Sequence, residues 1–506
     1  MSAGGECLTM NSSNDYDVAV VGLGPVGGVL CNLLALQGLR VVAFDREPGV
    51  LQLPRGVGID GEIMRVVQTI GLAEELEPRL KVFRGAQYLD VNGNVVATRP
   101  GITGPGPQGW PNRYNVHQPD FEEVVRSGLT DRPNVDLRLS HEVREVRSEE
   151  DAGIVVAENR QTGERFSVRS RYIVGCDGAR SLVRRTAKLV LDDFGLNEPW
   201  LVVDFKINSR ANLPDINTHY AHPEQPVIYV HVVRDLRRFE FKLRPDEDLD
   251  KATDSDVIWQ RVSRWLKPDQ AELVRAAVYT HRSLVARTWR VGRFIVAGDA
   301  AHQTPPFLGQ GQCAGVRDAA ALAWRLGAVI QQGASESLLD TYGDERGEHA
   351  RFYIKTATTF GTVLTSPDRN TIEELNLRVG REGRGKPPRL GPGMFKMDAV
   401  GGRLAPQPRL ASGELLDDVV GYRFGVIVNS EIRQQLSADF VDAIEKAGFT
   451  TVEASGGAAE WLRELDAQAV VVRPDRYYYG AFSDAATLEA ELRSLASQLA
   501  PAAVLD

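Results

Sequence analysis

Residues 16–46 read YDVAVVGLGPVGGVLCNLLALQGLRVVAFDR. A β-branched apolar run, Tyr16–Val21, stops at Gly22-Leu23-Gly24-Pro25-Val26-Gly27. Gly28 and an apolar helical stretch, Val29–Gln37, come next. Gly38 ends that stretch, and a second apolar run, Leu39–Phe44, closes on Asp45-Arg46. The pattern is a βαβ unit with GxGxxG at its first turn and an acid about 20 residues further on, the fingerprint of a dinucleotide site. Gly22 permits the tight turn. Gly24 and Pro25 stand where main chain meets a pyrophosphate, and Gly27 lets helix and strand pack closely. The free N–H groups and dipole of the helix N-terminus favour the anion. Asp45, with Arg46 beside it, is placed to accept from a ribose diol. NAD, NADP and FAD all satisfy this fingerprint.

Two later stretches narrow the choice. Residues 172–184, YIVGCDGARSLVR, read as a strand, Tyr172–Val174, broken by Gly175-Cys176-Asp177-Gly178 before a helix opens. Residues 298–312, GDAAHQTPPFLGQGQ, follow the apolar run Phe294–Ala297. Asp299 sits at that strand's end, Pro305-Pro306 stiffen the turn, and Gly309-Gln310-Gly311 open a long stretch with the apolar period of a buried helix. A helix N-terminus there would stabilise a delocalised negative charge on a flat ring.

The totals set the frame. A chain of 506 residues predicts two or three domains. Its 43% apolar and 25% charged residues are those of a soluble globular protein, and a net charge of −9 argues against nucleic acid as the main partner. Cys7, Cys31, Cys176 and Cys313 form no CxxC pair and no short spacing to histidine, so no metal site and no disulfide framework is expected; reduced thiols in a cytoplasm fit. No apolar stretch reaches the ~18 residues of a membrane span. MSAGGECLTMNSSND lacks the apolar core of a signal peptide and reads as a disordered tail, residues 1–15.

The three motifs, in this order across residues 17–326, resemble the class A FAD-dependent aromatic hydroxylases, the flavoprotein monooxygenases that include p-hydroxybenzoate hydroxylase and phenol hydroxylase, with the 3-(3-hydroxyphenyl)propionate hydroxylase-like branch nearest. The resemblance implies an α/β fold. A Rossmann-type, GR2-like FAD-binding domain would carry an inserted, mostly β substrate domain and a C-terminal thioredoxin-like domain. It implies bound FAD, NADPH or NADH as a transient co-substrate, and O2. A phenolic substrate would be hydroxylated next to an existing hydroxyl through a C4a-hydroperoxyflavin.

Residue by residue, Gly22, Gly24 and Gly27 match the ADP fingerprint and Asp45 the ribose acid. Arg55, in Leu53-Pro54-Arg55-Gly56, matches an arginine on FAD phosphate. Gln118 resembles a glutamine on the flavin side chain, Asp177 the aspartate of the DG motif, and Asp299 the aspartate on the ribityl chain. Pro306, Gly309, Gln310 and Gly311 would line the ring, with Pro306 beside the reaction centre. Asp60 falls where phenol hydroxylase carries an active-site aspartate, and reads equally as a helix N-cap. His302 is a candidate base inside a common family string, GDAAH, and there the structural reading is preferred. Cys313, Ala321-Leu322 and Gly56 depart from the usual Asn, Asn-Leu and Ala.

The expected boundaries follow: FAD-binding residues 16–190 and 286–378, a substrate sheet at 191–285, a Gly/Pro/Arg-rich linker at 379–415 and the thioredoxin-like unit at 416–506. Val227–Val233 and Phe239–Leu243 flank Arg234–Arg238 as a hairpin. Tyr220, Tyr229, His231 and Phe241 are the candidates for the substrate wall. In the last unit Phe424–Val428 and Ala469–Val472 read as strands, and Phe440–Ala447 and Leu488–Leu499 as helices. No cysteine lies beyond Cys313, so dithiol chemistry is excluded there and a structural or homodimerising role remains. The competing readings are the same scaffold oxygenating a polyketide-like substrate or inserting oxygen in Baeyer–Villiger fashion, an ordinary NAD dehydrogenase, and a protein-binding scaffold.

Overall fold

The computed structural model describes residues 9–52, 55–208, 210–365 and 387–501. Strand Thr9–Val21, helix Pro25–Leu36 and strand Val41–Asp45 form the opening βαβ unit. Pro25 occupies the first helical turn, where its fixed φ suits the helix and its missing N–H costs nothing. Val29, Leu30, Leu33 and Leu34 are fully buried, so the helix has no polar face. It packs between helices Gln118–Thr130 and Gly311–Gln331.

The sheet that carries this unit runs, in spatial order, Arg290–Val291, Phe294–Val296, Arg165–Gly175, Thr9–Val21, Val41–Asp45, Val135–Leu139, and the five strands from Phe294–Val296 onward are parallel. Val18, Ala19, Val20 and Val41–Ala43 are wholly buried, as the centre of a parallel sheet covered on both faces requires. Parallel order places the three motifs together at the carboxyl edge. Gly22 N donates to Phe44 O, Cys176 N to Val21 O and Ala297 N to Gly175 O, at 2.8, 2.8 and 3.0 Å. Such an edge is where open α/β sheets bind ligands.

The expected tail is corrected in part. Residues 1–8 lie outside the described residues, but the first strand begins at Thr9 and pairs in parallel with Phe166 and Ser167, with a register shift before Asp15. The unused backbone edge of strand Arg165–Gly175 supplies the ladder.

A second sheet of eight strands is mostly antiparallel. Its core is Leu191–Ile207 against Ala271–Ala286 and the hairpin Val227–His231/Leu236–Lys242. The expected span of 191–285 is too narrow. Gly85–Leu89 and Val95–Pro100 extend the sheet at one edge, through a parallel pairing with Asn217–Tyr220, and His302–Gln303 closes the other. One face carries Leu201, Val203, Tyr229, Phe239 and Phe241 and packs on helix Ser255–Val262. The opposite face carries Trp200, Ile228 and Val230 and meets Phe83, Tyr88, Phe307 and Phe360.

The C-terminal unit contains the expected strands Phe424–Val428 and Ala469–Val472 and helices Ala438–Lys446 and Ala485–Leu499. Strands Phe449–Glu453 and Tyr478–Phe482 complete a four-stranded sheet whose first pair is parallel and whose other pairs are antiparallel. The expected linker is also corrected. Residues 379–386 lie outside the described residues, while 387–415 is irregular chain that is packed rather than free. Leu390 and Phe395 are buried against Tyr477, and Ala405 is fully buried. Glycine and proline deny this segment regular structure, but its large apolar side chains still leave water. No helix among the described residues is long and apolar enough to cross a membrane.

Candidate active site

A cavity of about 390 Å³ lies between the carboxyl edge of the parallel sheet and the second sheet. Gly24, Pro25, Arg55, Gln118, Gly178, Asp299, Pro306, Gly309 and Gly311 line one side. Phe83, Tyr88, Arg113, His219, Ile228, Val230, Glu240, His281 and Phe360 line the other.

The sheet-edge side fits a flavin dinucleotide. A Cβ built on Gly24 would meet no atom within 4 Å, so that backbone faces open space. Neither helix Pro25–Leu36 nor helix Gly311–Gln331 has a side-chain cap or an acid in its first turn, which leaves both sets of N–H donors for an anion. Gly309 holds φ +61°, and a Cβ there would stand 2.5 Å from Arg113 Nη2; only glycine gives this turn and this approach. No donor among the described residues reaches the exposed Asp299 carboxylate at the cavity wall. Gln312, which the motif reading passed over, has both amide atoms buried without a hydrogen-bond partner and lines the same wall. Such orphans are rare unless a ligand completes them.

The remaining sites divide. Asp45 accepts from Leu23 N at 3.1 Å and from Arg126 Nη2 at 2.9 Å, and Arg126 also donates to Leu23 O. Arg126 thus braces the acid against the fingerprint turn; nothing in its local sequence signals this. Arg46 is exposed and pairs with Glu47. Gln118 Oε1 accepts from Arg55 N and Gly56 N at 3.0 and 2.6 Å, while its amide nitrogen donates to Glu122. It therefore shapes the Arg55-Gly56 loop through main chain. Leu53 and Pro54 lie outside the described residues. Asp177 caps the following helix, accepting from Leu182 N and Val183 N, and its other oxygen is buried without a partner. Burial raises its pKa above the usual carboxylate value.

The remaining candidates stand away from the cavity lining, against the expectation for Gln310 and for the substrate wall. Asp60 does not line the cavity. It is the N-cap of helix Gly61–Thr69, accepting from Ile63 N at 3.2 Å, and its second oxygen is held by Gln310 and Arg317. Gln310 likewise points into this ion-pair network, not into the cavity. His302 is 1% exposed, bonded to Asp318 Oδ2 at 2.7 Å and packed on Trp289, so it holds the core together. Tyr220, Tyr229, His231 and Phe241 are absent from the lining. Strand side chains alternate between faces, and it is Ile228, Val230 and Glu240 that face the cavity, while Tyr229 and Phe241 face helix Ser255–Val262. Asp60→Asn is expected to keep the cap and lose the ion pair, lowering stability by about 1–3 kcal/mol without loss of FAD; melting temperature and flavin content check this, and lost turnover in a stable variant would make Asp60 catalytic after all.

The family model described as FAD binding domain matches residues 15–357. The chain belongs to the FAD-dependent aromatic hydroxylase family. A second model, the HcaD C-terminal domain, matches residues 402–498 of this hydroxylase-family chain. Along most of its length it is similar to a probable NADH-specific resorcinol 4-hydroxylase of Rhodococcus jostii (strain RHA1), 35% identical with 96% of this chain and 95% of the relative covered. A 3-(3-hydroxy-phenyl)propionate/3-hydroxycinnamic acid hydroxylase of Mycobacterium sp. (strain JLS) is 33% identical, with coverage of 94% and 90%. Among solved structures, the flavin-dependent monooxygenase PieE in complex with FAD and substrate superposes with a TM-score of 0.82 at 20% identity, covering 96% of this chain and all of that one. Aklavinone-11 hydroxylase with FAD and aklavinone superposes at 0.79 and 24% identity, covering 94% and 98%. At these identities the likeness is one of fold.

Proposed function

We propose that this protein is an FAD-dependent monooxygenase that uses NADH or NADPH and O2 to hydroxylate a phenolic aromatic compound next to an existing hydroxyl. Whole-length similarity to a relative named as a resorcinol hydroxylase carries the reading, and the cavity between the motif cluster and an apolar sheet face supports it. The likeness to PieE and to aklavinone-11 hydroxylase is one of fold alone and does not favour the polyketide or Baeyer–Villiger alternative.

When bound and reduced by the nicotinamide cofactor, FAD would supply the activation of O2, one oxygen atom of which goes to the ring and the other to water. The chain's own work is to bind, orient and exclude water. In this reading the Gly24-Pro25 turn and its helix N-terminus take the pyrophosphate, Asp45 the ribose, and Asp299 the ribityl hydroxyls. The helix N-terminus at Gly311 would face the electron-rich edge of the ring, while the Gly309 N–H is spent on Pro306 O within the turn. Pro306 and Phe307 would sit beside the reacting centre, while Trp200, Ile228, Val230 and Phe360 keep water from it. The FAD-binding domain would comprise residues 16–190 and 286–378 in a Rossmann-type arrangement, apart from Gly85–Leu89, Val95–Pro100 and His302–Gln303, which join the second sheet, and that sheet would be the substrate domain. Residues 416–506 would be thioredoxin-like in fold and structural in role. NAD(P)H use suits a cytoplasmic setting.

Asp299→Ala is expected to raise the FAD dissociation constant about ten- to hundredfold, the loss of charge-assisted hydrogen bonds. Flavin fluorescence on titration into apoprotein measures it, and unchanged affinity would remove Asp299 from the site. NADH and NADPH oxidation by the purified protein, with resorcinol or 3-(3-hydroxyphenyl)propionate present, tests the function itself. Oxidation that no phenol stimulates would refute it.

A further inference from the structure

Arg113 and His219 line the cavity, and one nitrogen of each, Arg113 Nε and His219 Nδ1, is buried without a hydrogen-bond partner among the described residues. Leaving such a buried group unpaired is costly. Both side chains are held in place. Arg113 donates through Nη1 to Leu308 O at 2.9 Å, and its guanidinium lies 5.2 Å from the centre of the Phe83 ring. His219 is 9% exposed, stacks on Tyr88 at 4.7 Å and 15°, and meets Phe360 edge-on. Burial, and then the charges of Arg113 and Arg99, push the His219 pKa down to about 3. The ring is therefore neutral near pH 7 and offers a lone pair. It is too weak a base to carry a proton away.

A fixed N–H donor and a neutral nitrogen acceptor in one wall complement a group that both accepts and donates. A hydroxyl is such a group. A carboxylate would satisfy Arg113 and be repelled by the His219 lone pair. We propose that Arg113 and His219 seat the aromatic hydroxyl of the substrate, Arg113 Nε–H donating to its oxygen and His219 Nδ1 accepting its proton in a hydrogen bond. This inference rests on the hydroxylase reading, and adds to it the two residues that recognise the hydroxyl beside which oxygen enters. Neither belongs to a sequence motif: Arg113 comes from strand Arg113–Asn115 and His219 from strand Asn217–Tyr220.

The test is a binding titration of the oxidised, FAD-loaded protein without nicotinamide, followed through the flavin absorbance. Resorcinol and 1,3-dimethoxybenzene are the probes, the second lacking any hydroxyl. His219→Phe keeps a flat ring beside Tyr88 and removes the lone pair. Arg113→Lys keeps the charge and removes Nε. Each variant should weaken resorcinol about ten- to hundredfold; His219→Phe should leave its FAD content and its affinity for 1,3-dimethoxybenzene unchanged, because an ether oxygen has no proton to give Nδ1. Unchanged resorcinol affinity in both variants overturns the seat, as does equal weakening of both probes by His219→Phe, which would mean packing alone. Wild-type protein that holds FAD and binds neither resorcinol nor 3-(3-hydroxyphenyl)propionate overturns the hydroxylase reading, and the seat falls with it.

Discussion

Glu345→Gln is expected to unfold this protein at temperatures the wild type tolerates. Glu345 is wholly buried on the helix Asp340–Leu364. Its carboxylate takes Arg325 at 2.6 Å, Arg473 through two bonds of 2.7 and 2.9 Å, and Met394 N at 2.7 Å. Asp475 completes the cluster, bonded to Arg473 and to Trp324 Nε1. Two cations and two anions balance; the amide leaves a buried positive charge. Breaking such a pair from one side costs about 3–5 kcal/mol, a large part of the ~5–15 kcal/mol that holds a typical domain together. Because Arg473 and Asp475 come from the C-terminal unit and Arg325 from the long helix behind the cavity, the loss should loosen one from the other. Burial raises the Glu345 carboxyl, but Arg325 and Arg473 more than offset this, and it ends below its usual range. Its stabilising contribution is thus complete above the unfolded carboxylate value of about 4.3 and is lost as pH falls through the lower folded value. Thermal melts of wild type and variant from neutral to acid pH measure both effects. An unchanged melting temperature for Glu345→Gln would show that the cluster holds nothing.

Gly27→Val should give a colourless protein. A Cβ at Gly27 would collide with the Gly22 carbonyl oxygen and stand 3.3 Å from Cys176 Cβ, so the turn that receives the pyrophosphate cannot close. Gly22 holds φ +96° and has no freedom to yield. Gly24→Ala makes the contrast. With no atom within 4 Å of its added methyl, that variant should fold normally and bind FAD less tightly, because the methyl stands where only the ligand would be. Flavin absorbance per chain and the melting temperature separate the two. One FAD per chain in Gly27→Val would refute the assignment of this turn.

The parallel sheet was legible because its pattern is local: turn glycines, apolar strands and a helix in fixed order, with backbone geometry leaving few alternatives. The second sheet was legible as a hairpin but not as a wall. Alternation divides Val227–His231 into two faces, yet which face meets the cavity depends on helix Ser255–Val262 covering the other, and that is a tertiary fact. The aromatic residues drew attention, and they are the ones that pack away from the site. Asp60 and His302 could be read two ways for a related reason. Each stands beside a cofactor motif, but Arg317 and Asp318, one helix away, engage their polar atoms. Arg113, His219 and Gln312 could not be found from spacing, since what marks them is an orphaned buried atom. The strands Gly85–Leu89 and Val95–Pro100 join a sheet whose other members begin only at Leu191, far along the chain, and no periodicity reports such a pairing.

The most direct measurement is the fate of ¹⁸O₂ in a reaction of the purified, FAD-loaded protein with NADH and resorcinol or 3-(3-hydroxyphenyl)propionate. The account predicts a product with one added hydroxyl beside an existing one, its oxygen drawn from O2, formed in step with NADH consumed. An FAD-loaded protein that oxidises NADH and leaves both phenols unlabelled, or a chain that takes up no FAD, would contradict it.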